Sequence, residues 1–385
     1  MNVAARSRQD VGLFPGDWTP AERTKFALLS HGLSLSSAAL AYINQHNQSR
    51  AMTPADYAST SGIIIELDGT EWINAPIELH NPNFVRDSEY LLDLGVSGAL
   101  EVRNGTDVVR AGFWLPPEYH GKTSEDGIAY NSMAFTHGDR VRISPIEGCA
   151  MACQFCNLPY EFKYRTKSVA ALVDVVHVAL NDPIQPARHV LISGGTPRRE
   201  DFDYVQTCYE EVIKNAGVPV DIMMVPTPGL LDVAWLASIG VHQLSINIEV
   251  FDAARARRLM KLKTANRRDY YLEFIESAAG ILGPDRVRSM LLVGAESMET
   301  TLAGVRAIAE RGGVPVLSPF RPDPATPLRA VPPPNAQFVM ETYLRADEIA
   351  SDLGVDLGPD CLPCSHNTMT LSRSARRGHG RPNLV

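Results

Sequence analysis

The sequence predicts an α/β fold: a partial (β/α)6 TIM-like barrel with a small α+β region before it and a C-terminal extension after it. Three observations lead to this prediction. Short apolar strands alternate with helices, the fourth strand carries polar residues on one face, and reactive residues recur where strands end. We therefore divide the chain into an N-terminal region at 1–138, the barrel at 139–354 and the extension at 355–385.

The first observation is the alternation of strand and helix from residue 139 onward. Such alternation is typical of parallel βαβ units joined by right-handed crossovers. The predicted strands are 140–144, 189–193, 220–225, 243–250, 288–293 and 314–320. The predicted helices are 168–180, about 201–217, 230–239, 253–262, 269–282, about 299–311 and about 335–353.

The second observation separates a barrel from an open sheet. Ser245, Asn247 and Glu249 share one face of the predicted fourth strand, and apolar residues occupy the other face. A sheet covered by helices on both sides leaves no place for such a polar row. A barrel with an apolar outer surface and a polar lumen accommodates it, whereas a solvated edge strand is the alternative.

The N-terminal region has a sequence pattern that differs from that of the barrel. Thr19 and Glu22 form a predicted capping box, with Pro20 at the first position of a helix that we expect to run towards Tyr42. We find no chemical constellation here and expect a module that packs beside the barrel or covers its mouth. The strands predicted in it are 63–67 and a hairpin of 98–102 with 108–114.

Composition excludes several classes of protein. The chain has 385 residues, 45% hydrophobic and 21% charged, with a formal net charge of −8. This charge argues against a nucleic-acid-binding protein, and no apolar run approaches the length of a membrane span. The first ten residues lack the apolar segment of a signal peptide. We therefore predict a cytoplasmic protein, in which clustered cysteines are metal ligands rather than disulfides.

The third observation begins with the cysteines. Cys149, Cys153 and Cys156 follow the first barrel strand with the spacing C-x3-C-x2-C. Three thiolates this close suit a cubane iron–sulfur cluster with one iron free of protein ligands. The alternative is a structural zinc site, whose fourth ligand would be Cys361, Cys364 or His366.

Other candidate ligand-binding residues also follow strands. Gly194, Gly195 and Thr196 come after the second strand, and the glycine pair allows close approach of a ligand to the backbone. Gly294 and Glu296 come after the fifth strand. Because ligands gather at the carboxyl ends of barrel strands, we expect all these residues to meet at one mouth.

These motifs resemble those of the radical S-adenosylmethionine (radical SAM) superfamily. The resemblance lies in the three spaced cysteines, with Phe155 before the third, and in the Gly-Gly-Thr sequence, where Thr196 replaces the glutamate of the family motif. It implies that Cys149, Cys153 and Cys156 hold a 4Fe–4S cluster whose open iron binds the amino and carboxylate groups of SAM. The implied SAM contacts are Phe155, Gly194, Gly195, Thr196, Ser245, Asn247, Glu249, Gly294 and Glu296. Residues 291–296 and 317–321 are loosely similar to the biotin synthase and thiamine tyrosine lyase branch.

The resemblance also implies a reaction. A 4Fe–4S cluster, reduced by a donor such as flavodoxin or ferredoxin, would cleave SAM to a 5′-deoxyadenosyl radical that attacks a small-molecule substrate in a biosynthetic pathway. No catalytic residue is assigned. One alternative is transfer of the 3-amino-3-carboxypropyl group of SAM to a soft acceptor. A second alternative is a zinc-stabilised binding protein without catalytic activity.

A second cysteine pair lies beyond the sixth unit. Cys361, Cys364 and His366 form a possible second soft-ligand site, on a segment that we expect to return over the barrel mouth. Its possible roles are part of an auxiliary iron–sulfur site, binding of a thiophilic substrate, or a structural pair. The tail after Leu371 is predicted to be disordered.

Overall fold

The computed structural model describes residues 14–47, 51–53, 62–85, 87–373 and 384. One buried apolar core runs continuously from the N-terminal sheet through the barrel, from Trp18 to Leu371. Among the described helices, none combines the length and the apolar character that a membrane crossing requires.

The larger sheet has seven strands in the order β15-β14-β13-β12-β11-β8-β7. Six of them run parallel, and β7 pairs antiparallel with β8 at one edge. The predicted partial (β/α)6 barrel is thereby confirmed. Its strands are β7 (Ala134–His137), β8 (Arg140–Ile143), β11 (His189–Ile192), β12 (Val220–Met223), β13 (Gln243–Ser245), β14 (Val287–Val293) and β15 (Val314–Pro319).

The barrel helices begin where the sequence places their caps. Ser168, Asp232, Asp252, Ser297 and Asn335 each accept a hydrogen bond from a backbone N–H of the first turn that follows. The helices are α4 (Val169–Leu180), α5 (Phe202–Ala216), α6 (Val233–Ser238), α7 (Ala253–Leu259), α8 (Arg268–Leu282), α9 (Met298–Ala309) and α10 (Ala336–Asp352).

The fourth barrel strand is shorter than predicted. The strand β13 ends at Ser245, and Glu249 takes a left-handed backbone conformation with φ of 64°. Glu249 still forms an isolated parallel bridge with Leu291 of β14. The chain therefore stays beside the sheet while the positive φ turns it towards the barrel mouth.

The N-terminal region forms a six-stranded sheet in the order β1-β4-β5-β6-β2-β3. The hairpin predicted from the Asn-Gly turn is confirmed as β5 and β6. The strands are β1 (Ser34–Leu35), β2 (Gly62–Leu67), β3 (Glu71–Pro76), β4 (Leu91–Leu94), β5 (Leu100–Asn104) and β6 (Asp107–Phe113).

The prediction of a single helix towards Tyr42 was wrong. The capping box of Thr19 and Glu22 is present, but α1 (Pro20–His31) ends at Gly32, which has φ of 66°. A second helix, α2 (Ser37–His46), begins after β1 with Ser36 as its N-cap. Gly32 decides the break, because its conformation is left-handed and a Cβ there would lie 2.1 Å from a methyl of Val85.

The C-terminal extension lies against the edge of β15 rather than over the barrel mouth. Gly358 bridges to Val316, and the backbone N–H of Met369 donates to the carbonyl of Leu317 at 2.9 Å. A 3-10 helix at Pro363–Asn367 then packs on β3 of the N-terminal sheet. The expected return over the mouth was therefore wrong. Most of the tail that was predicted to be disordered, 374–383 and 385, lies outside the described residues.

Candidate functional site

The cysteine loop leaves β8 at the carboxyl end of the parallel strands. Its base is closed by a two-residue antiparallel ribbon of β9 (Ile146–Glu147) and β10 (Arg165–Thr166), and its far end leads into α3 (Leu158–Glu161). The middle of the loop is attached to α7. Gln154 donates its backbone N–H to the carbonyl of Leu259 at 2.8 Å and its side-chain amide to the carbonyl of Arg258 at 2.9 Å.

The glycine loop after β11 lies directly on the cysteine loop. A Cβ on Gly195 would come within 1.7 Å of the carbonyl oxygen of Gly148, and a Cβ on Gly194 would come within 2.0 Å of Ser144 Oγ. The backbone N–H of Ala150 also donates to the carbonyl of Thr196 at 2.9 Å. Only glycine permits this approach, so the sequence prediction that the two loops meet at one mouth agrees with their packing.

Cys149 lies at the contact between the cysteine loop and the glycine loop. Its Sγ accepts backbone N–H hydrogen bonds from Met151 at 3.3 Å and from Thr196 at 3.2 Å. Such donors stabilise negative charge on sulfur. Thr196 thus connects the glycine loop to the cysteine loop through its backbone N–H. A threonine supplies this backbone group as well as a glutamate does.

Cys153 and Cys156 are enclosed more deeply. Burial raises the pKa of the Cys156 thiol to about 11 and raises that of Cys153 further. A metal cation in contact with the sulfurs would reverse this shift, because a coordinating thiol is deprotonated by the ion. In a cubane, each thiolate would bind a different iron.

The polar row of the fourth strand is present and interconnected. Ser245 Oγ donates to Asn247 Oδ1 at 2.9 Å, and that oxygen also accepts the backbone N–H of Met290 at 3.1 Å. Glu249 forms a salt bridge of 2.7 Å with Lys263, a residue that sequence reasoning missed. Both side chains are at least four-fifths buried.

Glu296 has a structural role in addition to its predicted SAM contact. Its two carboxylate oxygens accept the backbone N–H groups of Phe251 at 3.0 Å and Asp252 at 2.6 Å, just before α7 begins. Burial raises the pKa of Glu296, and these amides only partly offset the effect. Gly294, with φ of 92°, precedes it and packs on Pro334.

Phe155 belongs to a small apolar cluster under the cysteine loop. The cluster joins the loop to α7 and to the end of β14, through Leu259, Met260 and Ala295. A cavity of about 330 Å³ adjoins this cluster at Ala256 and Met260, and its lining also includes the basic residues Arg257, Lys263, Arg267 and Arg268.

Arg142 is a second residue that sequence reasoning missed. It lies on β8, and its positive charge lowers the thiol pKa of Cys156 while burial raises it. Because its neighbours Val141 and Ile143 are fully buried on the opposite face of the strand, Arg142 faces the lumen below the cysteine loop.

The second cysteine pair lies at the opposite end of the barrel. Cys361 and Cys364 contact Asp139, just before β8, and His189, the first residue of β11. We call this end the barrel floor. From His189 to Gly194 the chain rises about 15 Å, so the barrel floor is well separated from the mouth. His366 does not join this group. Its Nδ1 contacts the carbonyl of Pro363 at 2.6 Å, and burial lowers the pKa of its imidazole to about 3.

The barrel floor is strongly polar around this pair. Burial raises the pKa of the Cys364 thiol, but a hydrogen bond from Cys361 and the charge of Arg140 outweigh burial and lower it to about 6. Arg288 donates to Asp221 at 3.0 Å and to the side-chain oxygen of Gln243 at 2.5 Å. Sequence reasoning missed Asp139 and His189. The available signal was a possible metal ligand, an aspartate or a histidine, at or just before the start of each of two barrel strands.

Comparison with known proteins agrees with this geometry. The radical SAM superfamily model matches residues 143–306. The bacteriochlorophyllide c C-7(1)-hydroxylase of Chlorobaculum limnaeum is 31% identical over 121 residues, which is 31% of this chain. That match spans only 29% of the length of the hydroxylase.

Several solved structures are similar to part of this chain. The FeFe-hydrogenase maturase HydG of Carboxydothermus hydrogenoformans is 14% identical, with a TM-score of 0.45 over 57% of this chain and 54% of its own. Methylornithine synthase is 17% identical, with a TM-score of 0.43 over 68% and 86%. A radical SAM methyltransferase of Sphaerobacter thermophilus is 14% identical, with a TM-score of 0.43 over 69% and 74%.

The family match begins within β8 and covers the cysteine loop, the glycine loop and the polar row. The likeness to the biotin synthase branch stays a prediction. Residues 143–306 therefore form a region that matches the radical SAM superfamily, whose enzymes use a 4Fe–4S cluster and S-adenosylmethionine.

Proposed function

We propose that this protein cleaves SAM reductively and uses the resulting 5′-deoxyadenosyl radical to attack a small-molecule substrate. The observation that carries the proposal is the contact between Thr196 N–H and Cys149 Sγ at 3.2 Å. This hydrogen bond joins the loop proposed to hold the cluster to the loop proposed to hold the methionine group of SAM.

Each proposed ligand has a defined place. Cys149, Cys153 and Cys156 would hold the cluster, and the backbone of Gly194, Gly195 and Thr196 would receive the amino group of SAM. When bound, the reduced cluster supplies the electron that breaks a carbon–sulfur bond of SAM. Phe155 and Gly294 would contact the adenosyl part, at the cysteine loop and the end of β14.

The chain's own residues prepare the lumen for this chemistry. Asn247 is held by Ser245 and by the backbone of Met290, so its amide group is oriented before any ligand arrives. The Lys263 ammonium holds the Glu249 carboxylate at the mouth, where Glu249 would meet SAM. Glu296 would support this site by fixing the start of α7, the helix to which the cysteine loop is hydrogen-bonded.

The substrate class follows from the chemistry. The relative from Chlorobaculum is by name a hydroxylase, and we propose that this protein likewise acts on a carbon–hydrogen bond of an organic small molecule in a biosynthetic pathway. We further propose a one-electron donor such as flavodoxin or ferredoxin. A cytoplasmic location is proposed because cluster thiolates persist where cysteines are kept reduced.

We favour this reaction over transfer of the aminocarboxypropyl group to a soft acceptor. The acceptor considered for it was the pair Cys361 and Cys364. That pair lies on the barrel floor, about 15 Å along the strands from the glycine loop, and both side chains are buried. We therefore propose radical chemistry on an external substrate.

The test is anaerobic reconstitution with iron and sulfide, followed by dithionite and SAM. We expect broad iron–sulfur absorption, a reducible EPR signal and 5′-deoxyadenosine among the products. The matched control is Cys149→Ala, which removes the sulfur at the junction of the two loops and should yield no 5′-deoxyadenosine. Methylthioadenosine without 5′-deoxyadenosine would instead indicate the transfer reaction. A preparation that binds zinc but no iron would contradict the proposed function.

A further inference from the structure

We propose that Asp139, His189, Cys361 and Cys364 form a structural zinc site at the floor of the barrel. The site is separate from the cluster at the mouth and fastens the C-terminal extension to the first two strands of the barrel. Two ligands come from strand beginnings and two from the extension. The proposal does not depend on the proposed reaction.

The separations of the four ligand atoms are compatible with tetrahedral coordination of one metal ion. Asp139 Oδ1 lies 3.2 Å from Cys361 Sγ, 3.4 Å from Cys364 Sγ and 3.2 Å from His189 Nε2. His189 Nε2 lies 3.8 Å from Cys361 Sγ and 3.4 Å from Cys364 Sγ. All four atoms lie within 4.8 Å of one another. A tetrahedral zinc with bonds of about 2.0–2.3 Å places its ligand atoms about 3.3–3.8 Å apart.

The four side chains are enclosed, as structural zinc ligands are. Their exposed fractions are 2% for Asp139 and 4% for each of the other three. The second carboxylate oxygen of Asp139 is buried without a hydrogen-bond partner. A group with two thiols, a carboxylate and an unpartnered oxygen is costly to bury. A divalent cation would remove that cost, because it pairs with the negative charges at once.

The composition and charge of the site favour zinc. Two sulfurs, one imidazole nitrogen and one carboxylate oxygen make a closed set of four, which suits zinc in a structural role. With both thiols and the carboxylate ionised, the zinc-bound site carries about one net negative charge, and the buried Arg140 beside it offsets that charge. The two cysteines are spaced C-x2-C, the spacing of many structural zinc sites.

The position of the site explains what the zinc would do. The extension reaches the barrel floor through Pro359 and Asp360, and the next helical turn packs on β3 of the N-terminal sheet. A metal bound here ties three parts of the chain together: the barrel, the extension and, through it, the N-terminal sheet. Metal binding at such a site adds directly to the stability of the folded state.

The experiment measures metal content of the full chain. Wild-type protein and variants are produced with added iron and zinc and purified anaerobically. Their iron and zinc contents are measured by inductively coupled plasma mass spectrometry. The variants are C361S/C364S and C149A/C153A/C156A. The control is Cys208→Ser, which changes a buried cysteine of α5 that belongs to neither site.

We expect about one zinc per chain in the wild type. The zinc content should fall at least about tenfold in C361S/C364S while iron is retained, and C149A/C153A/C156A should show the opposite pattern. Cys208→Ser should keep both metals. Unchanged zinc in folded C361S/C364S, or iron in place of zinc at this site, would overturn the proposal.

A second measurement does not depend on how the variants fold. Wild-type protein is stripped with a chelator and titrated with cobalt(II). Four-coordinate binding to two thiolates should give intense visible bands and sulfur-to-cobalt charge-transfer absorption, both lost on addition of zinc. Weak bands typical of octahedral cobalt would contradict the site. Because neither readout involves SAM, failure here and failure of the proposed function are distinguishable.

Discussion

Nε2 of His189 lies 3.4 Å from Sγ of Cys364, although 175 positions separate the two residues in the chain. The contact joins the beginning of β11 to the 3-10 helix of the extension. It therefore turns a terminal segment into part of the barrel floor.

Removal of metal from the floor should loosen the extension without opening the barrel. We expect chelator-treated wild-type protein to be cleaved first between β15 and residue 373, because the metal no longer attaches the extension to the strands. Limited proteolysis with mass spectrometry checks this, and zinc added back should restore resistance. Equal cleavage rates with and without metal would contradict a stabilising role.

The cluster ligands can be tested singly. We expect C149A, C153A and C156A each to prevent assembly of the 4Fe–4S cluster, because three thiolates are required to leave only one iron open. Iron and sulfide content after anaerobic reconstitution is the measurement, with Cys208→Ala as the matched control. Full iron retention in any one of the three variants would contradict its assignment as a ligand.

Gly195 is expected to tolerate no side chain. In G195A the new Cβ would lie 1.7 Å from the carbonyl oxygen of Gly148 and 3.0 Å from Cys149 Cα, so the two loops must separate. We expect a loss of about 1–3 kcal/mol in stability and a marked fall in SAM binding. The control is G280A in α8, where no atom lies within 4 Å and alanine should stabilise the helix by about 0.5–1 kcal/mol. Normal SAM binding by G195A would show that the loops adjust.

Lys25 and Glu71 form a fully buried ion pair at 3.3 Å, and the Lys25 ammonium also donates to the carbonyl of Thr370 in the extension. Removal of the lysine alone, in K25M, should cost about 3–5 kcal/mol because it leaves the carboxylate buried and unpaired. The double variant K25M/E71Q should recover part of that loss. Denaturant unfolding measures both, and additive effects of the two substitutions would contradict coupling.

Asp221 should make stability depend on pH below 4. Burial raises the pKa of its carboxyl, but the charge of Arg288 and a hydrogen bond from His242 outweigh burial and lower it to about 2 from an ordinary 3.8. A lowered pKa contributes stability above the unfolded value, and that contribution is lost as the pH falls from about 4 towards 2. The size is on the order of 2 kcal/mol.

The measurement compares wild type with D221N in the presence of chelator, so that metal loss is common to both. The stability difference should be large at pH 6 and should shrink steadily between pH 4 and pH 2. The control D285N changes an exposed aspartate outside the Asp221–Arg288 ion pair. A constant difference for D221N would show that the carboxylate charge is not what matters.

The sequence alone determined the barrel and the loops at its mouth. Strand–helix alternation is a local periodicity, and the strands β8, β11, β14 and β15 lie within a few residues of their predicted positions. Cys149, Cys153 and Cys156 lie within eight residues, so their meeting follows from chain connectivity. Gly195 could be placed beside them because parallel strands deliver their carboxyl ends to one mouth. Each of these inferences requires only short-range pattern and one topological rule.

The tertiary structure alone decided the rest. Whether Glu296 would reach a ligand or the start of α7, and where the extension would turn, depended on packing between distant segments. The clearest case is the floor site, whose ligands Asp139 and Cys364 are 225 positions apart. No sequence periodicity predicts such a contact. Residues so far apart in the chain meet only when the whole core forms and closes the long segment between them. The sequence therefore identified the cysteine pair, and only the folded chain supplied Asp139 and His189 as its partners.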